Sequence, residues 1–408
     1  MSVADLALQR NKYKHLSDAE WHWFLQQIEG RERTADKLPT FASIPDWWYP
    51  VRLSCEQCSS ELTAKYKADI VRGVMGYGES LSTLSDSGLS TLSSFAAVYS
   101  EGLPVTGDKN RFADLTGGYG VDTYFLSELF DHTDYVEQNA ELCRIAEHNF
   151  DISRKTAITI HNCTAEEFLS SPSRGLGGFH LIFLDPARRD SHGSKVFRIE
   201  DCTPNVVELL PTLLAHSKRL LIKLSPMLDL TQAVTSLSQV NWDIHIVAIK
   251  NEVKEVLLLS GGTGQITTID LAQKDQAFVF TREEEQHCGL EIRDGKLANY
   301  LYEPNAAILK AGAYKLVAQR FGLHKLDVNT HLYTSRQFIE NFPGRVWCIT
   351  EKQNLKQANV LTRNYPLTPE QLKKKLHLRD GGTAFVIGCR VAGKPTLLYA
   401  ERVYSTSM

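Results

Sequence analysis

The sequence predicts an α/β protein: a doubly wound, Rossmann-like sheet of seven strands, with a helical domain before it and small α+β modules after it. Three observations carry this. A short apolar strand, Arg111–Leu115, runs into the glycine turn Thr116-Gly117-Gly118-Tyr119-Gly120 and then into an amphipathic stretch, Val121–Phe130. Strand and helix patterns alternate from about residue 95 to 262. The last two strands of that region, Trp242–Lys250 and Glu255–Ser260, are separated only by Asn251 to Lys254. That spacing is too short for a helical crossover, so the two should pair as an antiparallel hairpin.

Each part of the chain has a local reason for this reading. Residues 1–90 read as a helical domain. Ser17-Asp18-Ala19-Glu20 forms a capping-box pattern ahead of an aromatic helix with Trp21, Trp23 and Phe24. Trp47-Trp48-Tyr49-Pro50 is a dense aromatic cluster, suited to packing a small helical domain or to stacking on nucleobases. A further helical stretch runs from Cys55 to Met75 and carries Lys65, Tyr66, Lys67 and Arg72. The Gly/Ser-rich passage Gly73 to Ser94 marks a boundary. Residues 91–262 hold the sheet, with strands Arg111–Leu115, Asp134–Glu137, Ala157–His161, His180–Leu184 and Leu220–Leu224 before the hairpin. Past Gly261-Gly262, short strands are expected at Ile266–Leu271 and Ala277–Thr281, then one helix from Ala306 to Phe321. A small α+β module is assigned to 263–330. A second, at 331–408, has strands Arg345–Thr350, Thr383–Arg390 and Thr396–Tyr404 and a helix Pro369–Leu376.

Composition bounds the function. The chain has 408 residues, 43% hydrophobic and 23% charged, which is ordinary for a globular protein with a sizeable core. A formal net charge of −3 means that any nucleic-acid-binding surface must be local. No apolar run approaches the ~18 residues of a membrane span. The N-terminus lacks the apolar core of a secretory signal, so a cytoplasmic location is expected. Of eight cysteines only Cys55 and Cys58 have metal-ligand spacing, and no second pair is near them, so no metal is expected.

The candidate ligand-binding residues stand at strand ends. Glycines let backbone approach a ligand, and Asp114 closes the strand before Thr116, Gly117, Gly118 and Gly120. Glu137 ends the second strand, where a carboxylate can accept both hydroxyls of a ribose. Asn162 follows the third strand. Asp185-Pro186-Ala187-Arg188-Arg189 follows the fourth, placing a carboxylate and two arginines where α/β sheets bind ligands.

The stretches DLTGGYGVDT, DYVEQN, FLDPARRD and LIKLSPMLDL resemble class I S-adenosylmethionine (SAM)-dependent methyltransferases. They are similar to a bacterial branch that ends in ferredoxin-like and THUMP-like domains, to which LYEPNAAILKAG, LDVNTHLYTS, FPGRVW and LRDGGTAFVIG correspond. The resemblance covers most of the chain after about residue 90. It implies a seventh, antiparallel strand in the sheet, SAM as cofactor and structured RNA, tRNA or rRNA, as substrate. It implies cofactor contacts by Asp114, Thr116, Gly117, Gly118, Gly120, Glu137, Asn162 and Asp185. Asp185 would orient or deprotonate the acceptor, and Arg188 would place a phosphate. Thr116 stands where relatives carry the first glycine. Relatives that methylate exocyclic amines carry Asp/Asn-Pro-Pro-aromatic, whereas Ala187 and Arg188 stand here, so such an amine is not the expected acceptor. Lys223-Leu224-Ser225-Pro226 holds no cysteine for covalent attack on a uracil ring. Lys373-Lys374-Lys375 with Arg379, and Arg188-Arg189 with Lys195 and Arg198, are candidate RNA contacts. Two other readings fit the same residues: a non-catalytic RNA-binding protein with a vestigial pocket, and a methyltransferase acting on protein or a small molecule. An NAD-linked oxidoreductase is disfavoured by the terminal hairpin.

Overall fold

The computed structural model describes residues 3–75, 110–171, 178–187, 198–272, 277–289 and 297–404. Most of the expected boundary at Gly73 to Ser94, together with Arg188, Arg189 and Lys195, lies outside these residues. By backbone contacts the chain divides into two compact units: Met1–Trp242 with Leu257–Gly261, and Asp243–Val256 with Gly262–Met408.

In the first unit the helix Asp18–Thr34 starts at Ser17, with the full capping box to Glu20 in place. The helix Glu61–Val74 is capped by Ser60, whose side chain accepts the Thr63 N–H. Trp47 stacks on Phe41 at 4.1 Å between ring centres and donates its indole N–H to the Tyr119 hydroxyl at 2.8 Å. Asn149 clasps the backbone of Trp48 from both sides, accepting its N–H at 2.8 Å and donating to its carbonyl at 2.9 Å. Trp47 and Tyr49 are buried, and Trp48 lies flat on His148 at 3.8 Å. The aromatic cluster therefore packs the N-terminal helices onto the glycine turn and the helix Ala140–Ile152.

The strands are β1 (Arg111–Asp114), β2 (His132–Val136), β3 (Ile158–His161), β4 (Phe179–Leu184), β5 (Ser217–Leu224), β6 (Trp242–Ile249), β7 (Glu252–Ser260), β8 (Gln265–Asp270) and β9 (Phe278–Thr281). Their order in the large sheet is β3-β2-β1-β4-β5-β7-β6-β8-β9. β1 pairs in parallel with β2 and β4, β2 with β3, and β4 with β5. Every residue of β4 is buried, as a central parallel strand covered on both faces requires. Within that order β6 and β7 lie side by side, as the hairpin expected from the sequence requires.

Two expectations need correction. β8 and β9 do not leave the sheet for a separate module. β8 runs parallel to β6, and β9 antiparallel to β8. The physical reason is Asp243, 1% exposed, whose Oδ1 accepts the N–H groups of Thr263, Gly264 and Gln265 at 2.8–3.0 Å and fastens the start of β8 beside β6. The single helix from Ala306 to Phe321 is instead two, Ala306–Ala311 and Leu316–Arg320. Gly312, at φ 81°, closes the first in a left-handed turn, and its N–H returns to Ile308 and Leu309.

The second unit also contains a seven-stranded sheet, order β11-β12-β10-β13-β16-β15-β14. Its members are β10 (Tyr300–Pro304), β11 (His324–Asp327), β12 (Thr330–Ser335), β13 (Gly344–Thr350), β14 (Asn359–Arg363), β15 (Ala384–Val391) and β16 (Lys394–Val403). Glu303, 2% exposed, is paired with Arg345 and Arg363 and so ties β10 to β13 and β14.

Replacing Asp243 with Ala would leave three N–H groups without their acceptor. Urea unfolding should show a loss of about 1–3 kcal/mol; an unchanged midpoint would mean that the β6–β8 junction is held by other contacts.

Candidate active site

The glycine turn is built from the inside. Asp114 is 1% exposed, and its two oxygens accept the Thr116 N–H at 3.0 Å and the Thr123 hydroxyl at 2.6 Å. It holds the turn and the following helix Val121–Leu126 in register. Burial pushes its carboxyl up to about 7 against those two hydrogen bonds, with Asp122 and Asp185 adding to the rise. Gly117 is required by close approach: a Cβ there would lie 2.1 Å from the Tyr135 ring. Gly118 has φ 54°, and a Cβ there would meet only the Thr116 carbonyl, at an ordinary contact distance of 3.7 Å. The turn thus presents bare backbone outward while packing tightly inward. Thr116, in place of a glycine, accepts the Asp185 N–H through its hydroxyl at 2.7 Å and so ties the β1 turn to the end of β4.

Glu137, half-buried after β2, accepts the Gly118 N–H on Oε2 at 2.9 Å and the Asn139 N–H on Oε1 at 2.8 Å. Each oxygen keeps a second lone pair for a ligand hydroxyl. Asn162, exposed after β3, donates its amide to the carbonyls of Glu137 at 2.9 Å and Gln138 at 3.0 Å. Asp185 follows β4. At the next residue but one, the N–H and carbonyl of Ala187 both bond to Thr203, at 2.7 and 3.0 Å. Asp114, Glu137, Asn162 and Asp185 therefore stand at the carboxyl ends of four adjacent parallel strands, the edge where α/β sheets take ligands. Arg188 lies outside the described residues.

Lys223 is the penultimate residue of β5 and is buried. Its ammonium meets Asp185 Oδ2 at 2.5 Å and Ser59 Oγ at 3.1 Å, with Asp122 Oδ2 at 4.0 Å. Ser59 donates to Asp122 at 2.7 Å, and the fully buried Lys67 pairs with Asp122 Oδ1 at 3.1 Å. Ser59, Lys67 and Asp122 are missed by sequence reasoning. One signal was present: Lys67 sits on the stripe Ala64, Lys67, Ala68, Val71, the buried face of its helix.

Cys55 and Cys58 do not face each other as ligands; their thiols turn to the backbone carbonyls of Pro50 and Cys55. Among the described residues no group of three or more His, Cys, Asp or Glu could hold a metal ion, and no helix is long and apolar enough to cross a membrane.

Comparison with known proteins gives the family. A ferredoxin-like domain model matches residues 300–343, and a THUMP domain-like model matches residues 349–402. The crystal structure of a candidate methyltransferase from Porphyromonas gingivalis W83 is 31% identical, covers 95% of this chain and 92% of its own, and superposes with a TM-score of 0.76. The chain belongs to the class I SAM-dependent methyltransferase family with C-terminal ferredoxin-like and THUMP-like domains. More distant matches include a candidate methyltransferase from Streptococcus mutans in complex with SAH and a candidate rRNA methylase from Clostridium thermocellum. Each is 12% identical, with a TM-score of 0.29 over 37% of this chain and 87% of its own. No curated protein sequence matches.

The raised pKa of Asp114 has a measurable consequence. An aspartate whose folded value lies above its unfolded value, near 3.8, contributes stability that is complete below the unfolded value and is lost as pH rises through about 7. Asp114→Asn removes that term, so the melting temperature of the variant relative to the parent should rise between pH 5 and pH 8. A difference that does not change with pH would show that Asp114 ionises in the folded state as it does in the unfolded chain.

Proposed function

We propose that this methyltransferase uses SAM and methylates a nucleotide in structured RNA, tRNA or rRNA, in the cytoplasm, with its THUMP-like C-terminus as the RNA-binding module. The observation that carries the reading is the alignment of the glycine turn, Glu137, Asn162 and Asp185 along one edge of the parallel strands. The donor set suits the cofactor: open glycine backbone for its methionyl part, a carboxylate with free lone pairs for its ribose, and an exposed amide for its adenine. SAM would supply an activated methyl group on a sulfonium. The chain's own task is then to position an acceptor and to take one proton. Asp185, the carboxylate at the fourth strand end, is assigned to orient or deprotonate the acceptor. Arg188 is assigned to a neighbouring phosphate by a forked hydrogen-bond pair.

The RNA side rests on local positive charge in the C-terminal unit. The helix Pro369–Lys375, opened by a capping box at Thr368, buries Leu372 and leaves Lys374 and Lys375 exposed. Lys373 is paired with Asp380 at 2.5 Å. Arg379 is exposed and bonds through its backbone to Lys356 and Ala358, which places another exposed lysine next to it.

Calorimetric titration with SAM, with NAD as control, tests the cofactor. Wild type should bind SAM saturably and not NAD, and Glu137→Ala should weaken SAM binding roughly tenfold or more, since it removes hydrogen bonds to a charged group. Absence of SAM binding would sink the catalytic reading and leave a non-catalytic RNA binder as the stronger one.

Deleting residues 331–408 is not a clean test of RNA binding, because it would strip β12 to β16 from one sheet. The paired substitution Lys374→Ala with Lys375→Ala keeps the fold. It should weaken tRNA or rRNA-fragment binding at all sequences and lower the slope of log affinity against log salt by about 2. An unchanged slope would make this helix a solvated face and place RNA contact elsewhere.

A further inference from the structure

The buried charges at the ends of β4 and β5 form one connected chain. A lysine ammonium has only donors, so Ser59 Oγ must accept from Lys67 at 3.3 Å and from Lys223 at 3.1 Å, and its own proton goes to Asp122 at 2.7 Å. The directions of all these hydrogen bonds are thereby fixed. Lys67 is already matched by Asp122. Lys223 reaches past that pair to Asp185. Exposure rises along the chain: side chains of Lys67, Asp122, Lys223 and Asp185 are 0%, 10%, 11% and 36% exposed. A cluster built only to neutralise a buried lysine would end at Asp122. This one continues outward to the carboxylate that ligands can reach.

We propose that Lys223 is a positioning residue for Asp185 and that Ser59, Lys67 and Asp122 hold it there, which makes the N-terminal helical domain a working part of the methyl-transfer site. The proposal rests on the reading of Asp185 as the acceptor-facing carboxylate. Lys223 holds the Asp185 carboxylate in one orientation and keeps it ionised. Among the described residues, charged groups around Asp185 include Lys223 from β5, Asp114 from β1 and Asp122 from the helix after the glycine turn, with Lys67 behind Asp122. Thr116 fixes its backbone.

Two measurements on the full chain test this. In the first, carboxyl-13C NMR of aspartate-labelled protein without ligand follows the titration of Asp185, with Asp185→Asn as the assignment control. Lys223→Met should raise the Asp185 midpoint by about one unit or more, because a cation in contact is lost. Ser59→Ala should raise it less, and Lys223→Arg should restore the wild-type value. In the second, the SAM:SAH affinity ratio is measured calorimetrically from pH 4 to 8. Its fall toward low pH should begin about one pH unit higher in Lys223→Met than in wild type and Lys223→Arg, as the Asp185 carboxylate of the site is protonated. A Lys223→Met protein that keeps its near-UV circular dichroism and titrates Asp185 as wild type does would overturn the proposal, whatever it binds. If neither SAM nor SAH binds wild type, the functional reading fails, while the ligand-free titration still decides the role of Lys223.

Discussion

The structure of the first unit turns on one constraint: the ammonium of Lys67 is completely removed from water and has to be neutralised where it stands. An isolated buried charge costs several kcal/mol, and a buried pair often gains little stability over well-packed apolar residues. What it gains is geometry. The helix Glu61–Val74 brings Lys67 to Asp122, and Asp122 is placed by the first turn of the helix that leaves the glycine turn. Ser59 then fixes the approach of the preceding loop, and Lys223 fixes the end of β5. Helical domain, glycine turn, β4 and β5 are locked to one another by a handful of polar atoms. The aromatic packing of Phe41, Trp47 and Tyr119 supplies the apolar burial around this lock.

Burial explains the behaviour of Asp114, and the same cluster adds to it. Three carboxylates, Asp114, Asp122 and Asp185, share the region with two ammonium groups, Lys67 and Lys223. Asp114, whose carboxyl burial pushes up, is the most deeply buried of the three. Asp114 holds the turn through Thr116 and Thr123, two bonds that survive protonation of one oxygen better than an ion pair would. Turn-holding and charge-bearing thus fall to different carboxylates.

Legibility in the sequence followed the range of the interaction. The glycine turn, the acidic strand ends and the β6–β7 hairpin each depend on a few consecutive residues, and each could be read directly. The strand order followed from the class of fold those signals define. Ser59, Lys67 and Asp122 could not be joined by the same means, because the partners lie dozens of residues apart and only packing brings them together. Lys67 on an apolar stripe was the one local hint that a buried charge awaited a partner. The break at Gly312 was local as well, a glycine one residue past a helix, and was overridden by the strength of the helical pattern on both sides. The placement of β8 was not local: its residues specify a strand, but the side chain that assigns it to an edge is Asp243, on the neighbouring strand.

In the C-terminal unit, two segments recognised by separate family models contribute to one sheet. β10 to β12 fall within or beside the ferredoxin-like match, and β13 to β16 within or beside the THUMP-like match, yet β10 pairs with both β12 and β13. Glu303 sits at that seam with an arginine from each of β13 and β14, so the seam carries a buried, charge-paired contact rather than a flexible linker. A shared sheet means the two segments should unfold together and move as one body. The exposed lysines of the helix Pro369–Lys375 are therefore carried on a rigid support, since Leu372 anchors that helix against Val360 and Val386 of the same sheet. A rigidly presented cluster concentrates positive potential in one place, which is how a chain with a net charge of −3 can still offer a polyanion a defined point of contact.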